Sequence, residues 1–320
     1  MKKRILAVLI ATALAVSVTG CAGNATSSSD STSASSVAES SDTSTQTSSD
    51  ASSEDESKEE SSQEESKDLE ANYTKYTLDG DLTQHMIDMS RLNEGNKVRL
   101  ANVIKKLKNG EEVTVGFIGG SITQGTSAGN DLCYAKLTAD WLQKTYSNAK
   151  INYVNAGIGA TGSYIGVHRV ANDLLSKNPD LVFVEFSVND TTENTERNKK
   201  SYDGLLRTIW KSSTNPAIIT IATTQEDGTS FQDQHAEIVK HYDLPMISYR
   251  NTILDTIKHG DIVWKDISDD NIHPNVPGHK IVSQLLQAYI SDVDKDVDNI
   301  SGSESDFTTP ATDAPIENGS

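Results

Sequence analysis

The chain has 320 residues and a formal charge of -18, from 46 acidic and 28 basic side chains. The excess sits at the ends: residues 22–72 hold 13 acids and 2 bases, and residues 292–320 hold 8 acids and 1 base. The stretch between, residues 73–291, has 25 acids against 22 bases. It offers no basic face to neutralise phosphates, which excludes nucleic acid as a partner. Its length suffices for one core, or two domains at most. Two cysteines, Cys21 and Cys133, exclude a disulfide framework and a multi-cysteine metal site.

Residues 1–20 place Lys2, Lys3 and Arg4 before the apolar run Ile5–Val18. That run is shorter than the roughly 20 residues a bilayer core demands, so it reads as an export signal and not as a spanning helix. The following Val18-Thr19-Gly20-Cys21 resembles the lipobox of bacterial lipoproteins. The resemblance implies cleavage before Cys21 and acylation of its sulfur, hence a cell-membrane protein anchored by lipid on the extracellular face. Residues 21–72 are Ser, Thr, Asp, Glu and Gln with almost no large apolar group. They cannot bury enough surface to offset their ordering entropy, so a disordered tether is expected. By composition the same is expected of the acidic tail 292–320.

Residues 81–109 are expected to be a mostly helical lead-in. Val113–Gly119, Ile151–Asn155, Leu181–Phe186, Ala217–Ala222 and Pro245–Tyr249 read as short buried strands. Between them fall helical patterns at 132–146, 164–175, 202–210 and 234–242, with a closing helix at 278–290. Cys133 falls inside the first of these as a small apolar group. Strands alternating with helices predict right-handed βαβ units and a parallel sheet covered on both faces. The predicted class is therefore α/β, with residues 73–291 as one domain.

Sites in such sheets form outside the carboxyl ends of the strands. Four segments fall there: Gly119-Gly120-Ser121, Asn155-Ala156-Gly157, Val188-Asn189-Asp190, and Asp270-Asn271-Ile272-His273. A serine hydroxyl needs a base to take its proton during attack, and a histidine oriented by a carboxylate is the usual one. Asp270 and His273, three apart on one loop, can pair locally. The tetrahedral intermediate of acyl transfer needs preorganised donors. The backbone N–H groups of Ser121 and Gly157 and the side-chain amide of Asn189 are the candidates. Asp190 reads as a brace. The remaining histidines, including His85 and His259, show no ligand spacing. Gly157–Gly162 spells a dinucleotide fingerprint, but it follows the second strand and lacks the acidic residue a ribose requires.

Together the four blocks resemble the SGNH (GDSL-type) serine esterase family, in the family's order over residues 113–290. Gly120 stands where the family has aspartate. The resemblance implies a flavodoxin-like three-layer α/β/α sandwich and a catalytic set Ser121, His273 and Asp270. It implies an oxyanion hole of Ser121, Gly157 and Asn189, and neither metal nor organic cofactor. It makes the expected activity ester hydrolysis, most readily of O-acetyl groups on a polysaccharide. Lipase, lysophospholipase or thioesterase chemistry, or glycan binding without turnover, are the alternatives. Tyr164 and Trp264 are candidates for a sugar platform.

Overall fold

In the computed structural model, residues 73–317 are described, apart from Asp79 and Glu193. The expectations for the signal segment, Cys21 and the tether lie outside the described residues.

A lead-in helix α1 (Gln84–Ser90) is capped by Thr83, whose side chain accepts from the Met86 N–H. A short strand β1 (Arg91–Asn93) and helix α2 (Val98–Lys108) follow. Then come β2 (Glu112–Gly119), a one-turn helix α3 (Ser121–Gln124), α4 (Tyr134–Thr145), β3 (Lys150–Gly157) and α5 (Ser163–Asp173). Strand β4 (Leu181–Glu185) leads through a 3₁₀ turn at Asn189–Thr191 into α6 (Thr195–Trp210). The chain continues as β5 (Ala217–Ala222), α7 (Gln232–His241), β6 (Met246–Ser248), α8 (Tyr249–Lys258), α9 (Trp264–Ile267) and α10 (Val276–Lys295).

The strands form one sheet in the order β1-β6-β5-β4-β2-β3. Strands β2 to β6 are mutually parallel, and β1 pairs antiparallel with β6. The five parallel strands are the five expected from the apolar runs. The alternating side-chain period sends Val113, Val115, Phe117, Leu181 and Phe183 into one core, with α2, α4, α8 and α10. It sends Ile118, Val182 and Val184 into the other, with α5, α6 and α7. Phe117 stacks on Phe183 at 4.6 Å between adjacent strands. This is the expected three-layer α/β/α sandwich.

The lead-in is mostly helical as expected, and Arg91–Asn93 adds an edge strand to β6. Two expectations are corrected. Cys133 is buried but precedes α4 as its N-cap residue. The tail is folded through residue 317. Val297 and Phe307 are buried, and the Phe307 ring lies between Trp210 at 4.5 Å and Tyr242 at 3.9 Å. Beyond it, Thr312 donates from backbone and side chain to Asp203 Oδ2, and the Ile316 N–H donates to the Lys200 carbonyl. A few apolar groups in an acidic segment suffice once a groove on α6 receives them. Gly204 opens that groove, since a Cβ there would lie 1.9 Å from the Ile316 oxygen.

Candidate active site

After leaving β2 the chain visits β3 on one side, then crosses to β4 on the other. The crevice at that reversal, beyond the carboxyl ends of β2 and β4, is where this class of sheet places its ligands. Ser121 opens α3 directly after β2, so its N–H is among the first-turn donors that a helix leaves unpaired.

The Ser121 hydroxyl donates to His273 Nε2 at 2.9 Å, and His273 Nδ1 donates to Asp270 Oδ2 at 2.8 Å. Serine and histidine are 152 residues apart in the chain. The loop that delivers the second and third groups is pinned on several sides. Asp270 Oδ1 accepts the N–H groups of Ile272 (2.7 Å) and His273 (2.6 Å). Ser268 Oγ bonds the carbonyls of Asp270 and His273. The Trp264 indole N–H donates to the Asp270 carbonyl at 2.7 Å. Partial burial pushes the Asp270 carboxyl up, but the backbone N–H and side chain of His273 and the N–H of Ile272 outweigh it and hold the group down to about 2. It is an anion whenever the histidine needs one.

Trp264 is thus buried under the loop and is no sugar platform, which corrects that expectation. Tyr164 is partly exposed. With Ala160, Ile165, Asn189 and Arg197 it lines a cavity of about 310 Å³. The Arg197 guanidinium lies over its ring at 4.6 Å.

Asn189 reaches the site from the turn after β4. Its Oδ1 is buried without a partner among the described residues. A Cβ on Gly120 would come within 1.9 Å of that oxygen, so the Asn189 amide fills the space a side chain at 120 would need. This accounts for glycine in place of the family's aspartate. Asp190 braces the turn as expected: its Oδ1 accepts from the Ser163 N–H and its Oδ2 pairs with His235 Nε2 at 2.9 Å, all in the interior.

Gly157 is the site expectation that the geometry overturns. Its N–H donates to Asn155 Oδ1 at 2.8 Å and is spent. What requires glycine there is contact: a Cβ would lie 2.3 Å from the Gln124 nitrogen. One turn on, the Gly159 N–H is also spent, on Gln124 Oε1. Ala160, held at φ 58, is the next amide in that turn, and it lines the cavity with Asn189.

Two supporting groups were not visible in the sequence. Arg169, on α5, donates to the Ala156 carbonyl at 2.6 Å and to the Gly119 carbonyl at 3.0 Å, tying together the ends of β3 and β2 behind the serine. Glu185 ends β4 inside the protein. Burial pushes its carboxyl up to about 7, against the pull of hydrogen bonds from Thr223 and Ser187.

Residues 117–281 match the GDSL-like lipase/acylhydrolase family. Among solved structures, a two-domain esterase (CEX) active on acetylated mannans is 38% identical, with a TM-score of 0.68 over 71% of this chain and 61% of that one. The same esterase co-crystallised with mannopentaose gives 38% identity and a TM-score of 0.65, covering 71% of this chain and 60% of the other. The acetylxylan esterase Axe2 from Geobacillus stearothermophilus is 20% identical with a TM-score of 0.47, covering 56% and 94%. This chain therefore spans about 61% of the length of the two-domain esterase it resembles. No curated protein matches it. On the matched span and the 38% identity, the chain belongs to the GDSL-like lipase/acylhydrolase family.

Proposed function

We propose that this protein is a serine esterase that removes O-acetyl groups from a polysaccharide. The observation that carries the reading is the unbroken chain of hydrogen bonds Ser121–His273–Asp270 at 2.9 and 2.8 Å. Ser121 Oγ attacks the ester carbonyl carbon while His273 Nε2 takes its proton. Asp270 keeps Nδ1 protonated and stabilises the imidazolium. The carbonyl π electrons move to oxygen, where the Ser121 N–H, the Asn189 side-chain amide and the Ala160 N–H are the donors at hand. When the C–O bond to the sugar breaks, His273 returns its proton to the departing hydroxyl. Water, deprotonated by the same imidazole, then hydrolyses the acetyl-serine to acetate and free Ser121.

The acetylated-glycan assignment draws on the 38% identity to an esterase active on acetylated mannans. The cavity that Asn189 lines, with Tyr164 and Arg197 on its wall, has room for a sugar ring. The test is acetate release from acetylated mannan and acetylated xylan by the full chain and by Ser121→Ala. Release by the wild type alone supports the reading. Equal release by both overturns the nucleophile, and hydrolysis of long-chain acyl esters in preference to acetyl esters overturns the substrate.

The proposal extends to location. A charged start, a short apolar run and Val18-Thr19-Gly20-Cys21 support export and lipid anchoring at Cys21, with the acidic stretch 22–72 as spacer. Cys21→Ala is expected to move the protein from the membrane fraction to the medium; unchanged fractionation sinks the anchor.

A further inference from the structure

Helix α8 and the lead-in meet at a cluster that the reaction does not use. His85 on α1, Asp255 on α8 and His259 at the end of α8 each offer one ligating atom, and all three atoms lie within 4.8 Å of one another. We propose that these three side chains form a binding site for a divalent transition-metal ion of the zinc type, serving to clamp the lead-in onto α8.

The donor chemistry fits. Two imidazoles and one carboxylate are the ligand set that zinc and its neighbours favour, and oxygen-seeking magnesium and calcium do not. The spacing fits as well. Donors 2.0–2.1 Å from a tetrahedral ion stand about 3.4 Å apart. His259 Nδ1 is 3.3 Å from Asp255 Oδ2, and His85 Nε2 is 2.6 Å from the same oxygen. The second pair would open by about 0.8 Å to admit the ion. A water completes four-coordination.

The surroundings hold the rings in place. The three side chains are 3, 12 and 17% exposed, so the cluster is sheltered but reachable. The Tyr73 ring stacks on His259 at 4.2 Å and meets His85 edge-on at 5.5 Å. The field is negative. Asp261 lies two residues past His259, where it accepts from the Tyr73 hydroxyl and the Tyr76 N–H. A dication would relieve that excess charge. It would also fix the end of α8, from which the chain runs through Asp261 and α9 to the loop of Asp270 and His273. Sequence spacing hid the cluster, because 170 residues separate His85 from Asp255.

The test uses the untagged full chain, stripped with a chelator and titrated with zinc chloride. Calorimetry is expected to show one equivalent bound, with a rise in Tm. Binding is expected to weaken roughly tenfold or more from pH 7.5 to 5.5, as protons compete for the imidazoles. His259→Ala is expected to lose roughly 100-fold or more in affinity, while His241→Gln, at a histidine outside the cluster, retains it. Should His259→Ala fold poorly, the anomalous zinc signal in crystals of the wild type decides, with a peak expected among the three side chains. No heat and no Tm shift in the wild type reduces the cluster to hydrogen bonds alone and overturns the site. A zinc peak elsewhere, or full affinity in both His259→Ala and Asp255→Asn, overturns it too.

Discussion

At the scale of single residues, the proposed mechanism separates groups that react from groups that make room. Ser121→Ala is expected to lower kcat on an acetyl ester by about 10⁴- to 10⁶-fold, and Asp270→Asn by about 10⁴-fold through loss of the correct tautomer. Stopped assays against a nitrophenyl acetate standard measure both. Asn189→Ala is expected to cost about 10²- to 10³-fold in kcat with a smaller change in KM, as removal of an oxyanion donor does. Gly120→Ala should resemble it without touching any reacting atom, because the new methyl group would displace the Asn189 amide from 1.9 Å. Native-like circular dichroism with low kcat is the expected pair of readings; wild-type kcat would show the amide is not needed there. With Asp270 held down to about 2, the carboxylate stays ionised through mildly acid solution. The acid limb of kcat/KM should then carry no ionisation from this carboxylate above pH 4, and a two-proton slope there would contradict this. That Ser121, His273 and Asp270 meet, with Asn189 beside Gly120, was legible because the chemistry fixes their types and the strand ends fix their places. The amide of Gly157 was not, since its partner Asn155 lies within the same block and a motif does not say which N–H is already spent. Trp264 misled for a similar reason: an aromatic beside a site looks like a platform until its indole is seen bonded to Asp270.

Between elements, two buried groups set opposing responses to pH. His279, on α10, accepts the Tyr134 N–H at the start of α4, and burial lowers its imidazole to about 4. The unfolded chain binds that proton first, so its contribution is complete above about pH 6.5 and is lost as pH falls toward 4. Glu185 runs the other way. With its carboxyl raised to about 7, its contribution is complete below about pH 4.5 and is lost as pH rises toward 7. Each spans about 3 kcal/mol, so in the native protein they largely cancel over pH 4.5–6.5. Urea unfolding of the variants exposes them: Glu185→Gln is expected to gain stability as pH rises through this window, and His279→Gln to lose it. Parallel curves for the two variants would contradict both assignments. The helices and parallel strands were readable from period and length, because buried strands of five or six apolar residues and amphipathic helices leave strong patterns. Strand β1 was not, as three residues at a sheet edge carry no period and owe their conformation to β6.

Across the whole molecule, the order of strands decides where chemistry can occur, and that order follows from short right-handed connections between successive runs. Composition served well for the class of fold and poorly for the tail. Counting charges in residues 292–320 hid Val297, which joins the core of α2 and α10, and Phe307, whose burial depends on a surface assembled from α6 and α7. Phe307→Ala is expected to destabilise the domain by roughly 3 kcal/mol, read as a lower urea midpoint, with kcat preserved because the stack of Trp210, Phe307 and Tyr242 is remote from the serine loop. An unchanged midpoint would return the tail to the status of a loose appendage. The stack also dictates a schedule. Synthesis proceeds from the amino terminus, and a ring needed to seal the second core arrives only at position 307. This half of the sandwich therefore cannot close before residue 307 has emerged to fill it. Until then Trp210 and Tyr242 remain open to solvent, and a chaperone has its opportunity to hold the chain.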